Sequence, residues 1–288
     1  MNVLPTLKNA FLLVENGLIA DFGFMEDCPD IEIKTIDATG KMILPSWCDS
    51  HTHLVYAGNR EDEFVDRING LSYKEIADNG GGILNSAKRL QTTSEEDLYN
   101  QSKVRLEEII QLGTGAVEIK SGYGLTKDAE LKMLRVIRKL KEKYPIEIKA
   151  TFLGAHALPE TYKDNKSGYL QMLINDILPT IQRENLADFI DIFCETGYFS
   201  VADTQQILDA GKKYGLVGKI HVNQFTAIGG IQVGIENGVL SVDHLEEMRS
   251  EDIEALKNTK TMPVSLPSCS YFLSIPYTPA RKMIDAGL

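Results

Sequence analysis

The sequence predicts an α/β fold, a (β/α)8 TIM-type barrel that is incomplete by one strand. Three observations predict it. From Met42 onward, apolar strand-like runs alternate with helical periods, a rhythm that implies parallel strands joined by helical crossovers. Seven strand candidates follow this rhythm, which favours a barrel over an open sheet. All five histidines fall at or just past the C-terminal end of a strand candidate, the face where barrel folds carry their functional loops.

Residues 1–40 precede this rhythm and read as short strands. Ala10-Phe-Leu-Leu-Val-Glu-Asn-Gly17 is an apolar run closed by a turn, and Asn16-Gly17 signals a hairpin into Leu18-Ile-Ala-Asp-Phe-Gly23. Glu32-Ile-Lys-Thr-Ile-Asp37 alternates as a strand should. The barrel strand candidates are 42–48, 115–120, 147–153, 188–194, 217–222, 239–243 and 261–266. Helical stretches lie near 94–111, 127–143, 166–184, 201–214, 227–236 and 249–258, with a last one over 277–286. Ser94 and Asp97 form a capping box for the first. In the second, Leu131, Leu134, Ile137 and Leu140 share one face. The resulting organisation is a small domain over 1–41 and a barrel over 42–288, with no internal repeat.

Composition narrows the function classes. The 288 residues include 30 basic and 41 acidic ones, a net charge of −11. That balance excludes nucleic acid as a partner, because phosphate binding needs a basic face. The one basic cluster, Arg135 to Lys143, is a solvated helix face broken by Glu142. No apolar run reaches the ~18 residues of a membrane span, and Met1 to Leu13 lacks the pattern of a secretory leader. Cys28, Cys48, Cys194 and Cys269 are scattered, as reduced thiols of a cytoplasmic protein would be.

The histidines carry the chemistry. His51 and His53 are two residues apart on one strand, so both imidazoles point to the same side and can reach one metal ion. A bare His-x-His is more often two surface histidines, but this pair leaves the buried-looking run Met42-Ile-Leu-Pro-Ser-Trp-Cys-Asp49. His221 ends the fifth strand and His244 the sixth. Each alone reads as a hydrogen-bonded rim histidine, whereas together they are a converging donor set of the kind a catalytic metal needs.

With these residues the chain resembles the amidohydrolase superfamily of metal-dependent barrel hydrolases, and within it the imidazolonepropionase family. The motifs are Asp49-Ser-His-Thr-His-Leu-Val-Tyr-Ala-Gly-Asn-Arg60, Gly80-Gly-Gly-Ile83, Val117-Glu-Ile-Lys-Ser-Gly-Tyr-Gly-Leu125, Thr151-Phe-Leu-Gly-Ala-His-Ala-Leu-Pro159, His221-Val-Asn-Gln224 and Asp243-His-Leu-Glu246. The resemblance covers nearly the whole chain and makes residues 1–41 the N-terminal part of a small β-sandwich. It implies His51, His53 and His221 as metal ligands, Arg60, Tyr123, His156 and Gln224 as substrate contacts, and His244 as the catalytic histidine. The implied reaction is hydrolysis of the cyclic amide of 4-imidazolone-5-propanoate to N-formimidoyl-L-glutamate, with metal-activated water as nucleophile. His244 would polarise the carbonyl or stabilise the oxyanion.

Arg60 suits the substrate carboxylate as a two-pronged donor, although Glu61, Asp62 or Glu63 offers it an ordinary ion pair. Tyr123 and Gln224 suit the ring polar atoms, or simple rim hydrogen bonds. Gly80–Gly82 reads equally as a ligand-hugging or a plain loop. One ion, zinc or iron, fits imidazole donors. A second, bridged ion would want a lysine or carboxylate at the end of strand four. Glu195 lies there, but the resemblance gives it a structural role, and Lys120 is on strand two. Family analogy suggests a homodimer.

The resemblance also implies an aspartate ligand and general base on an eighth strand beyond Leu288. Without it the expected chain is poorly stable and inactive, and an incomplete gene is the simplest account. The competing expectations are another cyclic-amide hydrolase or ring deaminase, which has no need of a carboxylate clamp, and a non-catalytic remnant.

Overall fold

The computed structural model describes residues 5–71, 75–76 and 81–288. The chain divides into two compact units, Met1–Pro45 and Ser46–Leu288.

In the first unit, β1 (Ala10–Glu15) and β2 (Leu18–Phe24) pair antiparallel. The turn is the expected one: Asn16 and Gly17 have φ of 53° and 77°, the left-handed pair that a two-residue hairpin requires. The strand expected over Glu32–Asp37 does not form, and Ile31, Ile33 and Ile36 are exposed. Alternation specifies a strand only where a neighbour supplies a ladder, and these residues have none.

The second unit is a sheet of seven strands, all parallel and in chain order. They are β3 (Trp47–Thr52), β4 (Thr114–Lys120), β5 (Glu147–Ala155), β6 (Phe189–Cys194), β7 (Val217–Val222), β8 (Ser241–His244) and β9 (Met262–Ser265). Lys219 of β7 reaches the carbonyl of Ser50 at 3.1 Å, and Asp243 of β8 reaches His51 at 2.6 Å. Contacts from β7 and β8 back to β3 require the sheet to curl, so the architecture is a nearly closed barrel. No described helix is long and apolar enough to cross a membrane.

The first barrel strand begins later than its apolar run. Residues 42–46 are outside it, because Pro45 has no N–H to give a ladder. The strand therefore runs Trp47–Thr52 and contains His51. The helices follow the expected crossovers: α3 (Glu95–Gln111), α4 (Lys127–Lys143), α7 (Val201–Lys213), α8 (Gly230–Asn237), α9 (Ser250–Leu256) and α11 (Ala280–Asp285). The stretch 166–184 is helical throughout, as α5 (Lys166–Met172) and α6 (Leu178–Glu184) joined by a π turn. Among the described residues, α1 (Glu61–Ile68), α2 (Gly82–Thr92) and α10 (Pro267–Leu273) lack a sequence-based expectation. Ser94 caps α3 by accepting from the Asp97 amide. The α4 stripe Leu131, Leu134, Ile137 and Leu140 is buried in the main core.

The β4–α4 loop is pinned from behind. Glu130, fully buried on α4, accepts from the amides of Gly122, Gly124 and Leu125 at 3.0, 2.7 and 2.9 Å. Gly122 has φ +107°, and a side-chain carbon there would meet the Leu153 carbonyl at 2.9 Å. Glycine is thus required for the loop to pass this close. Truncation by Glu130→Ala strands three buried N–H groups. The expected loss is about 3 kcal/mol or more of stability, read by chemical denaturation, with a smaller loss for Glu130→Gln. Equal stability of Glu130→Ala and wild type would contradict this account.

Candidate metal centre

Parallel strands present their C-terminal ends together, and these ends deliver the histidines. His51 lies in β3 and His53 just beyond it, His156 follows β5, His221 lies in β7, and His244 ends β8. The ring of His51 is 5.4 Å from that of His53 and 4.5 Å from that of His221. The Nε2 atoms of His53 and His221 are 3.4 Å apart. One donor nitrogen from each of these three residues falls within 4.8 Å of the other two.

Carboxylates orient two of the three rings. His51 Nδ1 is hydrogen-bonded to Asp243 Oδ2 at 2.6 Å, and His221 Nδ1 is 2.9 Å from Asp191 Oδ2. With Nδ1 engaged, Nε2 is left as the nitrogen with a free lone pair. Burial, then the Lys120 charge, holds His51 well below its usual pKa; burial, then His156, does the same for His53. Burial lowers His221 to about 3, against the opposing pull of Asp191. All three imidazoles are therefore neutral at pH 7, as metal ligands must be. Donor type, spacing and protonation fit a metal ion: these residues can hold one.

Beneath the histidines lies a buried ionic cluster. Lys120 is fully buried and contacts Glu118 at 2.7 Å, Asp191 at 2.8 Å and Asp243 at 3.6 Å. Burial disfavours its charge, but Asp191, Glu118 and Asp243 outweigh burial and raise its pKa above the ordinary value. Lys219 lies 3.4 Å from Glu118 and 3.7 Å from Asp243. Burial pushes Asp191 up, yet His221 and Lys120 hold it well below the usual carboxylate range.

Beside the histidines, His53, Tyr56, Arg60, Ser86 and Tyr123 line a cavity of about 240 Å³. Arg60 donates to Glu63 through Nε and Nη2 at 2.7 and 2.5 Å, while the other Glu63 oxygen accepts from the Gly82 amide. Gly82 thus opens α2; Gly80 lies outside the described residues. His156 stacks on His53 at 5.1 Å, its Nδ1 3.1 Å from the Gly122 carbonyl, and burial lowers its pKa to about 4.

His244 is buried 5.1 Å from the His221 ring, in left-handed backbone with φ 88°. Burial opposes its charge, but Cys269 and Glu246 raise it to about 9. Gln224 stands at the same mouth and donates to the Cys269 sulfur at 3.6 Å, away from the cavity lining. Glu195 faces the loop after β7, accepting from the Phe225 and Thr226 amides at 2.9 and 3.1 Å.

Sequence reasoning missed Asp191 as the His221 partner, and Tyr56 and Ser86 as cavity walls. Asp191 left one signal, a lone carboxylate inside the apolar strand Phe-Ile-Asp-Ile-Phe-Cys, which a buried strand tolerates only with a partner.

No protein-family model matches the chain. It is 69% identical to the imidazolonepropionase of Flavobacterium psychrophilum and 67% identical to that of Flavobacterium johnsoniae. Each match covers 100% of this chain and 70% of the relative. Among solved structures it resembles 5-methylcytosine deaminase from Klebsiella pneumoniae, with a TM-score of 0.73 and 15% identity over 96% of this chain and 69% of that one. That likeness concerns the fold alone, the parallel α/β barrel that the strand order already gives. Sequence identity of this degree over the full chain decides the narrower question: the chain belongs to the imidazolonepropionase family.

Proposed function

We propose that this protein opens the ring of 4-imidazolone-5-propanoate by hydrolysis, giving N-formimidoyl-L-glutamate, with His51, His53 and His221 holding one zinc or iron ion. The carrying observation is the cavity that joins His53 to Arg60 and Tyr123. It sets a cationic fork beside the histidine cluster, as a ring substrate with a carboxylate tail requires. A bound metal would supply activated water near neutral pH. The family membership supports the substrate, and the neutral imidazoles support the ion.

The chain's own residues divide the work. Arg60 takes the carboxylate, with Glu63 fixing the guanidinium from its far side. Tyr123 and His156 flank the ring, and Gln224 offers its amide. His244, protonated at neutral pH by its surroundings, donates toward the ring carbonyl and stabilises charge that develops on it. The amide C–N bond breaks, the carbonyl carbon takes the oxygen of water, and the ring nitrogen takes a proton. The four unpaired cysteines fit a reducing, cytoplasmic setting.

Incubated with 4-imidazolone-5-propanoate in ¹⁸O-water, a protein that carries this sequence together with the eighth-strand aspartate is expected to form N-formimidoyl-L-glutamate with a single ¹⁸O in the new carboxylate. Unchanged substrate, or release of ammonia instead, would sink the proposal. In the Arg60→Met variant KM is expected to rise about 30-fold or more, the worth of a charge-assisted pair. The same variant should handle an imidazolone without the propanoate as wild type does, and an equal loss on both would remove Arg60 from carboxylate binding. Zinc or iron retained after dialysis is expected to fall from about one ion per chain to near zero in His221→Ala, as read by elemental analysis.

A further inference from the structure

Lys120 is an ammonium group with no solvent exposure, ion-paired with Glu118, Asp191 and Asp243. Its partners are carboxylate oxygens, and two of these are shared. Asp191 Oδ2, 2.8 Å from Lys120 Nζ, is the oxygen that lies 2.9 Å from His221 Nδ1. Asp243 Oδ2, 3.6 Å from Nζ, is the oxygen bonded to His51 Nδ1. One side chain on β4 therefore stands behind aspartates on β6 and β8, and these stand behind histidines on β7 and β3.

We infer that Lys120 is a positioning residue for the metal site, clamping Asp191 and Asp243 so that His51 and His221 aim Nε2 at one point. The inference rests on the reading of the histidine cluster as a metal site. A carboxylate free to turn presents either oxygen or swings to another donor, and its histidine is free to rotate with it. An ammonium has several donors on a single atom, so from one place it donates to Asp191 and Glu118 at 2.8 and 2.7 Å while its charge holds Asp243 Oδ2 at 3.6 Å. Outer partners of metal ligands act this way in general, and their loss lowers metal affinity about 10- to 100-fold.

A purely structural role for Lys120 would consist in neutralising buried carboxylates, and Glu118 separates the two roles. It shares the lysine but backs no metal-site histidine, so Lys120→Met with Glu118→Gln removes one charge of each sign and leaves both aspartates in place. Zn²⁺ affinity is measured by chelator competition for wild type, Lys120→Met and the double variant, and Co²⁺ absorption reports ligand geometry. The expected result is about 10- to 100-fold weaker Zn²⁺ binding in both variants, with a cooperative melt and altered Co²⁺ bands. Wild-type affinity and spectrum in the double variant would overturn the inference, since charge balance alone would then suffice. Failure of both variants to fold would also overturn it and assign Lys120 to the fold. Absence of Zn²⁺ binding by wild type would bring down the metal reading and this inference together, whereas equal binding by all three proteins would bring down the inference alone.

Discussion

The register between parallel strands is the constraint on which the centre depends. His221 pairs with Asp243, and Val222 with His244, across β7 and β8; Phe193 pairs with His221 across β6 and β7. Each rung fixes which side chain faces the barrel interior. A slip of one residue would turn every imidazole and carboxylate of that strand outward. Register is defended by burial, because the same strands carry Ile190, Ile192, Ile220 and Val242 into the core. The apolar residues that hold the sheet thus hold the histidines in register too.

Below the histidines the barrel accepts a cost that an all-apolar interior would avoid. Two lysines and three carboxylates sit in the wall with almost no water, and isolated buried charges are expensive. Neighbours of opposite sign offset that cost, yet the cluster is left one positive charge short. A cation at the mouth is therefore favoured by the field of the wall as well as by the three neutral imidazoles. Arg60 and Glu63 repeat the pattern at smaller scale: the acid that pairs with the arginine also fixes its direction and the start of α2.

Much of this was legible in the sequence, for identifiable reasons. Buried parallel strands read as apolar runs, and five histidines are few enough for their placement to stand out. The supporting cluster was not legible, because Lys120 and Asp191 are 71 positions apart and only the strand order makes them neighbours. Glu32–Asp37 misled because alternation does not report whether a partner strand exists. The helices α1, α2 and α10 escaped because two or three turns hold too few apolar positions to show a period. Tyr56 became a cavity wall through a loop path that no local pattern encodes, and Ser86 through the placement of α2.

The pinned loop after β4 bears on the timing of binding. Glu130 orders Gly122, Gly124 and Leu125 when the chain folds, so the conformational entropy of that loop is lost before any ligand arrives. Under the proposed function, Tyr123 would meet the substrate from a backbone already set by Glu130. A contact made from so fixed a backbone would lengthen the residence time of the complex and leave the rate of encounter to diffusion and charge.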